Sequence, residues 1–412
     1  SSKRPRILIG KDTRKSGDML EAALTAGLCS MGAKVIPLGV VPTPAVAYLT
    51  RYYKADAGVV ISASHNPCEY NGIKFFNSDG YKLSDGIENE IESYILGEKA
   101  IEELPTHGKV GYVSANHNAV EDYVAFAVST IDCRLDGMKI AVDCANGASY
   151  ETAFKALNKL GANVEAIHNT PDGVNINHMC GSTHMESLQA YVTSIGADIG
   201  IAFDGDADRM LAVDENGKLI DGDQIMAACA KFMRDNGTLK QNTLVATVMS
   251  NLGLFMAGEK IGINIPRTKV GDRYVLEEML AKGYNIGGEQ SGHIIFLDHN
   301  TTGDGLVSAL QFLSVLKKTG MKASEAASIV TVMPQVLRNA VVKLENKNSY
   351  MENEEIAAAC KALEDEFAGE GRVLIRPSGT EPLVRVMIEG KDEEYITKKA
   401  EELAELIEKI LG

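Results

Sequence analysis

Asp198-Ile199-Gly200-Ile201-Ala202-Phe203-Asp204-Gly205-Asp206-Ala207-Asp208-Arg209 is the stretch whose reading decides the fold. Its first half is an apolar run of strand length, and its second half is a polar turn. Met210-Leu211-Ala212-Val213 then returns to strand character. Carboxylates at i, i+2 and i+4 in such a loop can converge three hard oxygens on one divalent cation, and Mg²⁺ suits a few carboxylates plus a phosphate ligand. An EF-hand is the competing reading, since Asp-x-Asp-x-Asp opens that motif and Glu215 falls at its twelfth position. Arg209 stands where that motif needs glycine, and a strand follows at once, so the loop reads as a different cation site. Without a cation, three close carboxylates would repel one another.

Working outward, the strand is the third of a unit that recurs at intervals of roughly 100–130 residues, longer than a solenoid period. Each copy opens with an apolar strand: Ile7-Leu8-Ile9-Gly10, Ile140-Ala141-Val142-Asp143 and Leu244-Val245-Ala246-Thr247. A helix then ends at a glycine that introduces a second strand: Gly32-Ala33-Lys34-Val35, Gly161-Ala162-Asn163-Val164 and Gly262-Ile263-Asn264-Ile265. Glycine suits the residue after a helix C-cap. The third strands are Ala57-Gly58-Val59-Val60-Ile61, the stretch quoted above, and Asn285-Ile286-Gly287. Strands alternating with helices imply right-handed βαβ crossovers and mostly parallel sheets. Ligands of such sheets bind beyond the carboxyl ends of the strands, so the three loops that follow the third strands are predicted to face one cleft.

The tail from about Pro334 breaks the pattern. Val341-Val342-Lys343-Leu344 reads as a strand, then comes a helical stretch, then strands at Val373-Leu374-Ile375 and Leu383-Val384-Arg385-Val386. A final helix carries Ile396, Ala400, Leu403, Ile407 and Ile410 on one side, a plain core stripe. This is a small α+β domain.

Composition bounds the function classes. With 45% hydrophobic and 24% charged residues, 39 Gly and 11 Pro in 412, the chain is globular, not collagenous, coiled-coil or disordered. A net charge of −15 and a pI near 5.1 exclude general nucleic-acid binding, which needs a basic face. No apolar run approaches the roughly 18 residues of a membrane span. Ile7–Ile9 is too brief for a signal-peptide core. Seven cysteines without a Cys-x-x-Cys pair suggest reduced thiols and a cytoplasmic setting, not a zinc site.

Three further loops carry chemistry. Ser62-Ala63-Ser64-His65-Asn66-Pro67 follows the third strand of the first copy. Adjacent Ser and His diverge, and Gly-x-Ser-x-Gly is absent, so a hydrolase dyad is disfavoured. A serine beside Mg²⁺ can carry a phosphoryl group; a bland Asn-Pro turn is the alternative. Gly288-Glu289-Gln290-Ser291-Gly292-His293 offers acceptor, donor and titratable groups suited to sugar hydroxyls and acid–base work, or is a glycine hairpin. Arg376-Pro377-Ser378-Gly379-Thr380 reads as a phosphate cup, with Arg385 as a second fork, or as a simple β-turn. The remaining histidines (His107, His117, His168, His178, His184, His299) fall in no paired spacing and read as surface or structural.

Taken together, these four loops, the last extended through Glu381-Pro382, resemble the signatures of the α-D-phosphohexomutases, in the family's order and across essentially the whole chain. Glu289-Gln290-Ser291 and Asn71-Gly72-Ile73-Lys74-Phe75-Phe76 look most like the family's bacterial glucosamine-phosphate branch. The resemblance implies three similar mixed/parallel-sheet α/β domains plus a smaller C-terminal α+β domain around one central cleft. They would occupy residues 1–137, 138–239, 240–334 and 335–412. It also implies that Ser64 is a phosphoserine and ligates Mg²⁺ together with Asp204, Asp206 and Asp208. Arg209 would lie on the transferring group and His65 beside the nucleophile. Lys74, Lys269 and His293 are the candidates for moving the sugar hydroxyl proton, without a ranking among them. Glu289 and Ser291 would grip sugar hydroxyls, and Arg376, Ser378, Gly379, Thr380 and Arg385 the phosphate that is not reacting.

The implied reaction interconverts glucosamine 6-phosphate and glucosamine 1-phosphate, supplying amino-sugar nucleotides for cell walls. A hexosamine or hexose 1,6-bisphosphate would serve as intermediate and activator. A phosphomannomutase or phosphoglucomutase is the near alternative; a metal-dependent phosphatase and a catalytically silent sugar-phosphate sensor are the distant ones. The expected partners are a small-molecule sugar phosphate and a second copy in a homodimer, with no nucleic acid and no membrane. The family's opening strand and its Gly-Thr-Asp-Gly-x-Arg-Gly type loop have no counterpart in this sequence, so the chain is expected to lack that segment.

Overall fold

The computed structural model describes residues 4–101, 103–115, 118–378 and 381–412. They form two compact units, one reaching to Met249 and including Gly262–Ile329, the other made of Ser250–Ile261 and Val330–Gly412.

The first unit opens with β1 (Arg6–Lys11), α1 (Ser16–Ser30), β2 (Lys34–Val40), α2 (Thr43–Tyr52), β3 (Ala57–Ile61) and β4 (Ile73–Asn77). Next come α3 (Asp85–Ile95), β5 (Tyr112–Val113) and α4 (Ala119–Ser129). The sheet order is β4-β3-β1-β2-β5, parallel except for the β3–β4 hairpin. Ile9, Val35, Val59 and Ile61 bury one face against Leu20, Leu24 and Leu28 of α1. On the other face α2 sits so close that a Cβ on Gly10 would lie 2.5 Å from a Val46 methyl.

The second copy runs β6 (Lys139–Asp143), α5 (Ser149–Lys159), β7 (Asn163–Ile167), α6 (Glu186–Ile195), β8 (Ile199–Phe203), β9 (Met210–Asp214) and β10 (Leu219–Ile220). Its order is β10-β9-β8-β6-β7, in which β9-β8-β6-β7 repeats β4-β3-β1-β2 of the first, and the β8–β9 and β9–β10 pairs are antiparallel. Every residue of β8 is buried, which explains why its sequence is apolar throughout and does not alternate. The helices of both copies end where the glycines foretold: Gly32 and Gly161 each adopt φ +87°.

The third copy begins after α7 (Gly222–Asp235), whose N-terminus is closed by a capping box between Asp221 and Gln224. It holds β11 (Ala246–Thr247), α8 (Leu252–Ile261), β12 (Arg267–Thr268), α9 (Asp272–Lys282), β13 (Ile286–Gly288) and β14 (Ile294–Phe296). The apolar α10 (Gly305–Thr319) and the short α11 (Ala323–Ala327) follow. A parallel bridge between Val245 and Gly287 joins the β11–β12 and β13–β14 ladders, so the strand order of the other copies is kept. The second strand was expected at Gly262–Ile265 and instead lies at Arg267–Thr268. Pairing does start at Asn264, opposite Thr243, but Pro266 has no N–H to continue the ladder, which resumes one residue later.

The second unit joins α8 to β15 (Gln335–Val341), α12 (Glu354–Phe367), β16 (Arg372–Pro377), β17 (Leu383–Glu389) and α13 (Glu393–Leu411). Its antiparallel sheet has the order β15-β17-β16. Ile396, Ala400, Leu403 and Ile407 of α13 are buried as the stripe predicted, with Ile410 at the edge. The first strand was expected at Val341–Leu344; it ends at Val341, opposite Leu383, because Pro382 before β17 accepts one last bond from Val342 N–H at 3.0 Å and has no N–H to give back. Leu344–Asn346 is a 3₁₀ turn. Among the described residues, no helix is long and apolar enough to cross a membrane.

Candidate active site

Equivalent hairpin connections carry the three loops of the first unit: residues 62–72 join β3 to β4, residues 204–209 join β8 to β9, and residues 289–293 join β13 to β14. All three meet at a cavity of about 490 Å³ lined by Ser64, His65, Lys74, Asp208, Arg209, Glu289 and His293, among others. That volume suits a sugar phosphate.

Asp204, Asp206 and Asp208 are buried, and one ligand atom from each lies within 4.8 Å of the others. At an effective dielectric near 20, two carboxylates about 4 Å apart repel by about 4 kcal/mol, so three cannot sit here fully ionised without compensation. Burial first, and then the charges of Asp208 and Asp206, push the Asp204 carboxyl well above the usual carboxylate range. Asp206 is also desolvated, but the Lys74 ammonium at 2.8 Å and the Thr43 hydroxyl at 2.7 Å hold its pKa below that range. One lysine therefore offsets one of the three acids. Asp206 Oδ1 and Asp208 Oδ1 are buried without any hydrogen-bond partner. Three buried carboxylates this close together, two of them with an unpartnered oxygen, fit a hard divalent cation.

Ser64 faces this cluster, its Oγ donating to Asp204 Oδ2 at 2.6 Å. Its backbone is left-handed, at φ +50°, which costs a non-glycine residue about 1–2 kcal/mol. The facing loop must be glycine at Gly205, where a Cβ would stand 2.6 Å from the Ser64 carbonyl oxygen. His65 is exposed beside it; desolvation of one side and the nearby Arg209 charge lower its pKa. Burial opposes the Lys74 ammonium, but Asp206, Asp208 and Asp204 outweigh it and hold its pKa above the ordinary lysine value. Arg209 is likewise kept cationic: Asp204, Asp208, Glu289 and Asp206 together outweigh its desolvation.

His293 is buried against Gly303, where a Cβ would come within 2.4 Å of the ring. Neither ring nitrogen has a hydrogen-bond partner, although Asp272 Oδ2 lies 3.6 Å and Asp208 Oδ2 3.8 Å from Nε2. Asp272, paired with Lys82 and close to His293, is drawn down to about 2 against its own burial. The Glu289 carboxylate accepts from the Gly271 N–H at 3.1 Å. Gln290 turns away and anchors the loop, donating to the Asp221 carboxylate that caps α7.

Two sequence candidates are not brought to this cavity. Ser291 is exposed at the loop tip, and Lys269 is exposed with its ammonium 5.7 Å from the centroid of Tyr274. Conversely, Thr43, Lys82 and Asp272 escaped the sequence reading. Thr43 lies in an apolar stretch, and the other two belong to no motif.

The second unit carries the remaining loop. Arg376 of β16 stands directly opposite Arg385 of β17, and desolvation with the Arg385 charge lowers the Arg376 pKa. Like charges opposite each other destabilise a sheet unless an anion joins them. Arg385 reaches Glu381 at 3.3 Å, and Ser378 is buried with its N–H donating to Leu383 O. Gly379 and Thr380 lie outside the described residues.

Four models of the phosphoglucomutase/phosphomannomutase family match consecutive parts of the chain: α/β/α domain I over residues 1–102, domain II over 120–217, domain III over 221–333, and the C-terminal domain over 340–406. The chain belongs to this family. Phosphoglucosamine mutase of Ruminiclostridium cellulolyticum is 63% identical over 404 residues, covering 98% of this chain and 90% of the relative. That of Acetivibrio thermocellus is 62% identical over 408 residues, covering 99% and 91%. A phosphoglucomutase/phosphomannomutase family protein of Burkholderia thailandensis superposes with a TM-score of 0.81 at 22% identity, covering 98% of this chain and 89% of its own. The Aspergillus fumigatus N-acetylphosphoglucosamine mutase, solved with GlcNAc-6P and magnesium, gives 0.69 at 19% identity, covering 90% and 93%. Family membership makes the chain an intramolecular phosphotransferase, an isomerase, with four mixed α/β family domains.

Proposed function

We propose that the chain interconverts glucosamine 6-phosphate and glucosamine 1-phosphate through a phosphorylated Ser64 and a 1,6-bisphosphate intermediate. The observation that carries this reading is Ser64 Oγ hydrogen-bonded to Asp204 at the mouth of a buried three-carboxylate cluster. The names of the curated relatives support the amino sugar as substrate.

Asp204, Asp206 and Asp208 would hold Mg²⁺. When bound, that ion neutralises the carboxylates and the charge that develops on the transferring phosphoryl group. Phosphoserine gives its phosphoryl group to the sugar O1: the P–Oγ bond breaks as the P–O1 bond forms, and the O1 proton must leave. His293 lines the cavity with both ring nitrogens unpartnered and is the group free to take that proton. Lys74 is committed to Asp206, and Lys269 does not line the cavity. Arg209, held cationic, steadies the phosphoryl oxygens during transfer. His65 flanks the nucleophile. Glu289 grips sugar hydroxyls from the cavity wall, while Arg376, Ser378, Gly379, Thr380 and Arg385 bind the phosphate that is not reacting. The bisphosphate then turns over and returns its 6-phosphoryl group to Ser64.

The four domains carry this chemistry at the boundaries given above, one loop from each. We further propose a homodimer. Helix α3 buries none of its residues and exposes Ile87 and Ile95, apolar side chains that a second copy would cover. Seven free cysteines accord with a cytoplasmic setting.

The test is a coupled assay on glucosamine, glucose and mannose 6-phosphates, with and without glucose 1,6-bisphosphate. Turnover of the amino sugar, raised by the bisphosphate and without release of free phosphate, is expected. Comparable turnover of mannose 6-phosphate would sink the amino-sugar assignment, and free phosphate as the main product would favour a phosphatase.

A further inference from the structure

Ser64 holds a backbone conformation that serine does not choose by itself, and two buried side chains from other loops hold it there. Asn177 donates from Nδ2 to Ser64 O at 2.9 Å and to Asn66 O at 3.0 Å. Arg14, wholly buried, donates from Nη2 to the same two oxygens, at 3.1 Å and 2.5 Å. Each carbonyl thus has both acceptor positions filled, and both donors span residues 64 to 66. Asn177 is itself left-handed, at φ +58°, and its Oδ1 is buried without a partner, so the side chain is oriented for its amide N–H groups alone.

The loop that presents Asn177 is fixed in turn. Asp143, Cys180 and His168 come close enough to hold an ion, but the carboxylate of Asp143 is already engaged. Its Oδ1 accepts from Ala145 N–H at 2.8 Å, and its Oδ2 accepts from Gly181 N–H at 3.0 Å and pairs with His168 Nδ1 at 2.9 Å. Asn177 N–H donates to Ala145 O at 2.9 Å. The two clamps are also tied together: Thr13 Oγ1 donates to Asn146 O at 2.6 Å, and Lys15 N–H to Gly173 O at 2.9 Å.

We infer that Asn177, seconded by Arg14, is a positioning residue that locks the main chain of Ser64 so that its Oγ points at Asp204. The inference rests on the reading of Ser64 as phosphoryl carrier. A serine released from φ +50° would relax, and its Oγ would leave the carboxylate cluster while the fold and the cluster stayed intact.

The experiment compares the parent with Asn177→Ala and Asn177→Asp in three measurements: steady-state kinetics on glucosamine 6-phosphate, the rate of Ser64 phosphorylation by glucose 1,6-bisphosphate followed by intact mass, and the melting shift caused by Mg²⁺. Misplacement of a reacting group by about 1 Å costs roughly 10²-fold, so both kcat and the phosphorylation rate should fall about that far in both variants. KM and the Mg²⁺ shift should stay near the parent's. The aspartate keeps the shape of the side chain but turns oxygens toward two carbonyls, so it should not rescue. Phosphorylation at the parent's rate in Asn177→Ala, or recovery in Asn177→Asp, overturns the inference and leaves the phosphoserine reading standing. A kcat loss that travels with loss of the Mg²⁺ shift also overturns it, since the variant has then damaged the cluster. A parent that acquires no phosphoryl group at Ser64 sinks the phosphoserine reading and the inference with it.

Discussion

Ser64 Oγ donates to Asp204 Oδ2 at 2.6 Å, linking two loops separated by 140 residues of sequence. Phosphorylation at that oxygen adds a charge of about −1.5 to −2 against a cluster already crowded with carboxylates. A phosphoryl group at that oxygen would be tolerable only with cations beside it. Ser64→Ala should lose mutase activity to background and gain no phosphoryl mass on incubation with glucose 1,6-bisphosphate, with an unchanged circular dichroism spectrum. Retained turnover in this variant would remove Ser64 from the mechanism.

Asp204 is the acid that the cluster tolerates least. Its ionised form is disfavoured by burial and by two neighbouring charges, so removing that charge relieves strain when no cation is bound. In EDTA, Asp204→Asn should melt above the parent. In Mg²⁺ the order should reverse, because a parent saturated at 100 times Kd gains about 2.7 kcal/mol and the variant binds the ion less well. Activity should fall by roughly 10²-fold or more, the scale of losing one charge-stabilising group. Scanning fluorimetry with and without Mg²⁺ reads both signs. A variant less stable than the parent in EDTA contradicts the argument.

Much of this arrangement was legible in the sequence for a physical reason. A repeated β-α-β pattern fixes where the third strand of each copy ends, and the residues just past it must lie at the same edge of the sheet. Ser64, Asp204 and Glu289 could be placed that way without a contact being known. Position along a strand is a local property, and apolar runs report it well. What the sequence hid was partnership. Thr43 sits in the stretch Val41-Pro42-Thr43-Pro44, and nothing there signals that its hydroxyl meets Asp206 across 163 residues. Arg14 and Asn177 look like surface polar residues until the fold buries them. The errors in strand placement have the same origin. Val342 is as apolar as Val341, and only Pro382 before the partner strand, which accepts from Val342 N–H but cannot donate, decides where the ladder ends.

Arg376 faces Arg385 across two paired strands, an arrangement that favours an anion between them. A charged hydrogen bond contributes about 1.5–3 kcal/mol, so Arg376→Ala should lower kcat/KM for glucosamine 6-phosphate by roughly 10- to 100-fold. The loss should appear in KM and kcat together, since a phosphate is held in both half-reactions. With like charges no longer opposed, the phosphate-free variant should melt at or above the parent. Unaltered kinetics would remove this pair from substrate binding.

The buried Asp143 pairs with His168 at 2.9 Å, and the pair sets a pH dependence of its own. The hydrogen bond to Asp143, aided by its charge and opposed by burial, raises the His168 pKa above the ordinary 6.5. A histidine that binds its proton more tightly folded than unfolded stabilises the fold fully below its unfolded pKa. That contribution is lost as the pH rises through the folded value. His168→Gln should therefore cost more stability at a pH of about 5.5 than at about 8.5. Other titrating groups largely cancel when the variant's melting temperature is subtracted from the parent's at each pH. A difference that is flat, or larger at alkaline pH, would show that the imidazolium does not hold the loop carrying Asn177.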